Sequence, residues 1–169
     1  MVVAVPMMVA EAATAAVPVI KEITKDVTTV EEGVVLHGCN CVGGFGSGVA
    51  GAIRRKWPDV YEAFKENGIG PHLLGSTDFI MRSDRPRLVI ANGYTQQYCG
   101  NDGRRYAEID AVAKCAAAAI EYADAFDLPL YMPKIGCGLG GLSWEDEVKD
   151  VIEMASSEFP DVNIFICDL

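Results

Sequence analysis

The sequence predicts one α/β domain of three layers, with helices on both faces of a mostly parallel sheet. Short runs of β-branched and apolar residues alternate along the chain with longer segments in which apolar residues recur at helical spacing, and this alternation is typical of parallel sheets. A length of 169 residues suits a single domain. Because no linker, internal repeat or low-complexity segment interrupts the pattern, we assign residues 17–169 to one domain.

The first half of this domain contains four predicted strands and two predicted helices. The strands are at residues 17–23, 33–37, 76–81 and 88–92, and the helices are at residues 49–57 and 59–67. Val34, Val35 and Leu36 form the continuous apolar run of a strand that is buried on both faces. Pro58 suits the first turn of the second helix, because that position needs no N–H donor.

The second half contains a long predicted helix, two further strands and a last helix. The long helix is at residues 106–126, the strands are at residues 129–132 and 162–167, and the last helix follows Ser143. Ser143 is a residue type that caps helices, and Asp146 is the acidic partner that a capping box places three residues later.

Residues 1–16 are interpreted as a poorly ordered leader or a lead-in to the first strand. They are apolar and alanine-rich, but they lack the basic residues that begin a secretory signal peptide, and they include Pro6 and Glu11. The six cysteines of the chain have neither the density nor the spacing of a disulfide scaffold. We therefore expect reduced thiols in a cytoplasmic protein, and we expect a monomer.

The charge of the chain limits its partners. Fourteen basic side chains against 24 acidic ones give a net charge of −10, and such a surface repels nucleic-acid backbones and anionic membranes. No apolar run reaches the roughly 20 residues that span a bilayer. We expect no nucleic-acid polymer and no membrane as partners, whereas a small anionic ligand is compatible with this charge because backbone N–H groups bind phosphate.

Two glycine-rich loops each follow a predicted strand. The first glycine loop, residues 40–48, precedes a helix, and the second glycine loop, residues 135–142, has four glycines. Glycines let a ligand approach backbone amides closely, and a helix N-terminus adds unpaired N–H donors. The first loop has neither a Walker ending nor the dinucleotide fingerprint. Together the loops predict a clamp for one diphosphate at the carboxyl ends of the strands; the alternative is that they are only two sharp turns.

The residues of these loops resemble the macrodomain family, which binds ADP-ribose. Three segments carry the resemblance: His37-Gly38-Cys39-Asn40-Cys41 continued by residues 43–50, Met132-Pro133-Lys134-Ile135-Gly136-Cys137-Gly138-Leu139 with Trp144 beyond it, and Lys25-Asp26-Val27-Thr28. They are most similar to the branch that contains ADP-ribose 1''-phosphate phosphatases and terminal ADP-ribose glycohydrolases. The resemblance implies a three-layer α/β/α macrodomain with a mixed, mostly parallel central sheet.

The resemblance also implies the binding residues. Asp26 would accept a hydrogen bond from the adenine amino group, with the amide of Val27 beside it, and Asn40 would hold the distal ribose hydroxyls. One phosphate would bind the amides of Gly46, Ser47, Gly48 and Val49. The rest of the diphosphate and the distal ribose would bind the second loop at Ile135, Gly136, Cys137, Gly138, Leu139 and Gly140.

The chain departs from the glycohydrolase pattern at one position. Those enzymes carry an Asp directly after the Gly-Cys-Gly-Leu run, and this chain has Gly140 there. The lysine that they pair with this Asp is not evident near residues 92–97. The resemblance therefore favours phosphatase chemistry or binding alone over that glycohydrolase route.

The predicted catalytic residues are His37 and Asn40. The unperturbed pKa of histidine lies near neutrality, and His37 ends a buried strand three residues before Asn40. The alternative is a histidine that bonds locally and shapes the loop. We expect no metal, because Cys39 and Cys41 are spaced more tightly than ordinary zinc pairs and no second pair follows. Cys137 is interpreted as a small loop residue rather than a nucleophile.

Two further groups have both a ligand-binding and a structural interpretation, and for the second group ordinary surface charge is the commoner explanation. They are the polar and aromatic residues Tyr94, Gln96 and Tyr98, and the arginines Arg104 and Arg105. The chain is thus predicted to hydrolyse ADP-ribose 1''-phosphate without a cofactor. The alternatives are a non-catalytic reader of ADP-ribose or ADP-ribosylated protein, a hydrolase that removes ADP-ribose from proteins, and an ordinary nucleotide-binding or interaction domain.

Overall fold

The structure is a computed structural model that describes residues 18–169. The predicted leader, residues 1–16, lies outside the described residues. Six strands are β1 (Val19–Thr24), β2 (Gly33–Asn40), β3 (Thr77–Met81), β4 (Leu88–Gln96), β5 (Leu130–Met132) and β6 (Asn163–Asp168). Four α-helices are α1 (Gly48–Lys56), α2 (Pro58–Asn67), α3 (Ile109–Ala125) and α4 (Lys149–Ser156). Short 3-10 turns at Val27–Thr29 and Pro71–Leu73 and a π-helical turn at Trp144–Val148 complete the elements.

One mixed sheet contains all six strands in the order β1-β6-β5-β2-β4-β3. Every pairing in it is parallel except the pairing of β3 with β4, which is antiparallel. The short charged turn between β3 and β4 explains this exception, because a parallel return would need a long crossover connection. The prediction of a mixed, mostly parallel sheet is confirmed.

The side chains of β2 alternate between two helical layers. Val34 and Leu36 pack in the core that contains α3 and α4, whereas Val35 and Cys39 pack in the core that contains α1 and α2. Every residue of β2 except Gly38 is buried. Each fully buried Val or Leu stabilises the fold by roughly 1.5–3 kcal/mol, so this strand holds the three layers together.

Strands β2 and β4 are longer than predicted. β2 continues through Asn40 because its last residues still pair with β4, with Gly38 opposite Gly93 and Cys39 opposite Tyr94. The glycines let neighbouring parts approach: a Cβ atom on Gly38 would lie 2.7 Å from Thr95 Oγ1. Polar and glycine residues therefore extend both strands into the region that was predicted as loop.

Helix α3 begins three residues later than predicted. The amides of Tyr106 and Ala107 donate to the carbonyl of Gly140, each at 2.9 Å, and Ala107 forms a bridge to Gln96. These bonds hold residues 106–107 in an extended conformation against the second glycine loop, so the helix starts after Glu108.

The parallel strands bring their carboxyl ends to one edge of the sheet. The turn after β1, the first glycine loop after β2, residues 97–108 after β4 and the second glycine loop after β5 all lie at this edge. Separately, none of the helices within residues 18–169 has the length and apolar character needed to cross a membrane.

Candidate functional site

The first glycine loop presents unpaired backbone donors. The first hydrogen bond of α1 runs from Gly51 N to Ser47 O at 3.0 Å, which leaves the N–H groups of Gly48, Val49 and Ala50 ahead of it without a helical acceptor. The Ser47 side chain does not cap the helix. A Cβ atom on Gly46 or on Gly48 would have no described residue within 4 Å. These donors, at the positive end of the helix dipole, suit a phosphate.

The side-chain amide of Asn40 holds the conformation of the first glycine loop through hydrogen bonds. Its Oδ1 accepts hydrogen bonds from Val42 N at 3.1 Å and Gly44 N at 2.9 Å, and its Nδ2 donates to Gly44 O at 2.8 Å. The residue is buried. One N–H of Nδ2 is left for a ligand, so the geometry gives Asn40 first of all a positioning role in the loop.

The second glycine loop is held by its own backbone and leaves a row of open amides. Leu142 N donates to Gly136 O at 2.9 Å, and Gly141 N donates to Gly138 O at 3.1 Å. Within the described part of the chain, the N–H groups of Gly138, Leu139 and Gly140 have no hydrogen-bond acceptor. A Cβ atom on Gly138 would lie more than 4 Å from every atom of the other residues in the range 18–169. This face of the loop is therefore open to a ligand.

Gly140 cannot be replaced by a larger residue without moving the backbone. A Cβ atom there would lie 2.6 Å from Gly136 O and 2.8 Å from Ala107 Cβ, and its carbonyl already accepts from Tyr106 and Ala107. The loop thus has no room for the Asp that the glycohydrolases carry at this position. The packing of the loop therefore requires the glycine that this chain has at position 140.

Ile135 and Cys137 face inward. Ile135 is buried and its N–H donates to Pro133 O, and the N–H of Cys137 donates to Lys134 O. Burial raises the pKa of the Cys137 thiol to about 11, so the sulfur stays protonated at neutral pH and is a poor nucleophile. Of the six predicted ligand-binding positions in this loop, these two have backbone N–H groups that already donate to other residues of the protein.

Asp26 follows β1 and lies at the same edge of the sheet. Its Oδ1 accepts from Thr28 N at 2.9 Å and from Thr28 Oγ1 at 2.8 Å. The backbone N–H of Thr28, more than any other contact, holds the pKa of this carboxyl below its usual value. The carboxylate therefore stays ionised, and its second oxygen is available as an acceptor. Val27 beside it is buried.

His37 lies in the core and has no exposed surface. Its Nε2 donates to Asn92 Oδ1 at 2.6 Å, and its ring packs edge-on against Phe45. Burial lowers the pKa of His37 to about 4, and the bond to Asn92 opposes this only in part. The imidazole is neutral and covered at neutral pH, and this burial argues against the predicted acid–base role.

The segment that connects β4 to α3 joins the two glycine loops. We call residues 97–108 the bridging segment. A cavity of about 480 Å³ lies on it, lined by Gln97, Tyr98, Arg104, Arg105, Tyr106, Ala107 and Glu108. The exposed Tyr98 and both arginines therefore belong to the candidate site. Tyr94 does not, because its side chain is buried and its hydroxyl accepts from Asn67.

Glu108 is the charged lining residue that sequence reasoning missed. The predicted helix over residues 106–126 includes it, whereas the structure places it just before α3, as an exposed residue on the lining of the cavity. An acidic residue directly before a helix that follows a parallel strand was the available signal. No group of three or more His, Cys, Asp or Glu within residues 18–169 is arranged to hold a metal ion.

Comparison with known proteins agrees with this architecture. The family model described as Macro domain matches residues 36–151. The ADP-ribose 1''-phosphate phosphatase of Candida albicans is 25% identical over 147 residues, which cover 79% of this chain and 86% of the relative. The protein of the same name from Scheffersomyces stipitis is 26% identical over 155 residues, with coverage of 79% and 87%. The macrodomain of Mycobacterium tuberculosis DarG has a TM-score of 0.74 at 22% identity, with coverage of 90% and 99%.

Proposed function

Because the chain belongs to the Macro domain family, we propose that it binds ADP-ribose and hydrolyses ADP-ribose 1''-phosphate to ADP-ribose and phosphate. The activity is the one named for two relatives that align with most of this chain. The observation that carries the proposal is the pair of open amide rows, at Gly48–Ala50 and at Gly138–Gly140, at the same edge of the sheet. Such rows bind a diphosphate without a basic side chain, which suits a chain of net charge −10.

The ligand is proposed to lie along the edge of the sheet. Asp26, with the amide of Val27, binds the adenine end, because an ionised carboxylate with a free oxygen accepts a bond from an exocyclic amine. The amides of residues 46–49 bind one phosphate. The amides of Gly136 and of residues 138–140 bind the other phosphate and the distal ribose, with the remaining N–H of Asn40 on a ribose hydroxyl.

A second candidate function is a reader that binds ADP-ribose, free or on a modified protein, without chemistry. The observation that favours it is the burial of His37, the predicted acid–base group. A hydrolase that removes ADP-ribose from proteins through an Asp in the second loop has no support in the packing around Gly140.

The test of the shared binding claim uses the two glycines that have open space beside them. Gly46→Leu and Gly138→Leu place a bulky side chain over the amide rows without a clash inside the fold. We expect each to weaken ADP-ribose affinity by about tenfold or more, a loss of about 1.4 kcal/mol in binding free energy, with little change in melting temperature. Calorimetry with ADP-ribose measures the first effect, and thermal unfolding measures the second.

Ala117→Leu on the exposed face of α3 is the matched control, and it should change neither quantity. If the two glycine variants lose stability but keep their affinity, the loops are ordinary turns and the binding proposal is wrong. Release of phosphate from ADP-ribose 1''-phosphate by the wild-type protein then separates the enzyme from the reader.

A further inference from the structure

The cavity on the bridging segment carries charged side chains that the diphosphate clamp does not use. Arg104, Arg105 and Glu108, all three exposed to solvent, are among the residues that line it. The two glycine loops offer neutral amides, whereas this cavity offers two guanidinium groups in a protein whose net charge is strongly negative. Guanidinium groups recognise phosphate oxygens through paired N–H donors.

We propose that this cavity binds the terminal 1''-phosphate of the substrate, with Arg104 and Arg105 on its oxygens and Glu108 as the general base for the attacking water. The inference deepens the proposed phosphatase function and rests on it.

The bridging segment lies against both glycine loops, which places the cavity next to the diphosphate clamp. Cys41 N donates to the carbonyls of Gln96 and Gln97, each at 3.1 Å, which joins the segment to the first loop. Tyr106 N and Ala107 N donate to the second loop. Glu108 N donates to Thr95 O at 2.9 Å. The backbone of Glu108 therefore lies beside the end of β4, next to the residues that bond to the first loop.

Glu108 is the lining carboxylate without another task in the described structure. It occupies the N-cap position of α3, but its side chain makes no capping bond, although capping is the usual reason for a polar residue there. Asp102, in the same segment, already accepts from the Tyr106 hydroxyl at 2.8 Å and from Arg104 N at 3.1 Å. Within the described residues, Glu108 is therefore an exposed carboxylate without a hydrogen-bond or ion-pair partner, on the lining of the cavity.

The two arginines differ in how they are held. Arg105 Nη2 lies 2.5 Å from Glu147 Oε1, which fixes its guanidinium beside the second glycine loop. Among residues 18–169, Arg104 pairs only with Asp102 of its own turn, and its side chain is 80% exposed. The ion pair thus holds the guanidinium of Arg105 in one position, whereas the exposed side chain of Arg104 can change its conformation to contact an anion.

The reaction at this cavity is the hydrolysis of a phosphate monoester. The water oxygen forms a bond to phosphorus, and the bond between phosphorus and the oxygen on C1'' breaks. One proton of the water passes to Glu108, and the departing ribose oxygen takes a proton from solvent. Glu108 then returns its proton to solvent, so the products are ADP-ribose and phosphate. The arginines hold the phosphate oxygens while this exchange takes place.

The experiment compares turnover of ADP-ribose 1''-phosphate with affinity for ADP-ribose, which lacks the terminal phosphate. We expect Glu108→Gln to lower kcat by about a hundredfold or more, the usual contribution of a general base, and to leave ADP-ribose affinity unchanged. Arg104→Gln and Arg105→Gln are expected to raise KM for ADP-ribose 1''-phosphate with little effect on ADP-ribose affinity. Asp110→Asn, two residues from Glu108 on an exposed position of α3, and Arg85→Gln, in the β3–β4 turn, are the matched controls.

The outcomes distinguish the role of Glu108 from the phosphatase function itself. If the wild-type protein hydrolyses the substrate and Glu108→Gln hydrolyses it equally well, the role of Glu108 is overturned and the phosphatase function stands. If the wild-type protein binds ADP-ribose but releases no phosphate, the phosphatase function is overturned and the catalytic role of Glu108 with it. If Glu108 acts only through its negative charge, that charge repels the anionic substrate, and Glu108→Gln should raise kcat/KM. Such a rise would therefore also overturn the proposal.

Discussion

At the scale of single residues, the burial of His37 makes the stability of the fold depend on pH. The pKa of this imidazole is about 4 in the folded protein and about 6.5 in an unfolded chain. As the pH falls, the unfolded chain takes up this proton before the folded protein does. The contribution of the neutral His37 to the free energy of unfolding is therefore complete above about pH 6.5, and it decreases as the pH drops towards 4. The linked loss amounts to about 3 kcal/mol.

The variant His37→Gln should lower stability at pH 7 and make its decline between pH 6.5 and 4 shallower, since the titrating group is gone. Urea unfolding at several pH values measures both effects. His72→Gln is the matched control, because His72 is exposed, and it should follow the wild-type curve. Equal slopes for His37→Gln and the wild-type protein would show that His37 does not carry the linkage.

At the scale of elements, the helix that follows the second glycine loop is capped in an unusual way. Its first turn is a π-helix at Trp144–Val148, and both Glu147 N and Val148 N donate to Ser143 O at 3.1 Å. Ser143 Oγ accepts from Asp146 N, as the sequence predicted, but Ser143 N donates to Glu147 Oε2 at 2.9 Å. The wider turn moves the reciprocal acid one residue along, from Asp146 to Glu147.

We therefore expect Glu147→Ala to destabilise the protein more than Asp146→Ala, because it removes the acceptor of the Ser143 N–H at the start of the helix. Glu147 also pairs with Arg105, but an exposed ion pair adds little to stability. Chemical unfolding of the two variants side by side provides the measurement. Equal losses, or a larger loss for Asp146→Ala, would contradict the importance of the bond from Ser143 N.

The elements that the sequence predicted well are those whose residue types strongly favour one kind of structure. The β-branched, apolar Val34–Leu36 run predicts a buried strand, and Pro58 marks the first residue of α2. The boundaries that differ depend on partners far away in sequence. The glycines and polar residues that end β2 and β4 remain in strands because they pair with each other, and residues 106–107 stay extended because they bond to Gly140. Local propensity does not contain these contacts.

At the scale of the whole molecule, the two glycine loops were predictable because each contains its own signal. The bridging segment was not, since the position of Glu108 depends on where α3 begins, and that start is set by the second loop. The covered position of His37 depends on Phe45, Asn92 and the helices above them. Sequence therefore predicts the walls of the site, and tertiary packing decides which ionisable groups face into it.

The order of the sheet predicts how protection from amide exchange is distributed across the molecule. β2 and β4 lie inside the sheet and are almost wholly buried, whereas β1 and β3 are its edges and are partly exposed. Local opening at sheet edges costs less free energy than global unfolding. We expect β2 and β4 to exchange slowest, and we expect the open amides of both glycine loops to exchange fast in the free protein.

ADP-ribose should then slow exchange in both glycine loops at once, because one diphosphate is proposed to accept from both amide rows. Exchange mass spectrometry, with and without the ligand, resolves peptides that cover residues 43–50 and 134–142. The Gly46→Leu variant is the control, and in it both peptides should lose the ligand effect together, since binding itself is weakened. Protection confined to one loop in the wild-type protein would mean that the two rows do not hold the same ligand, and the clamp across the edge of the sheet would have to be abandoned.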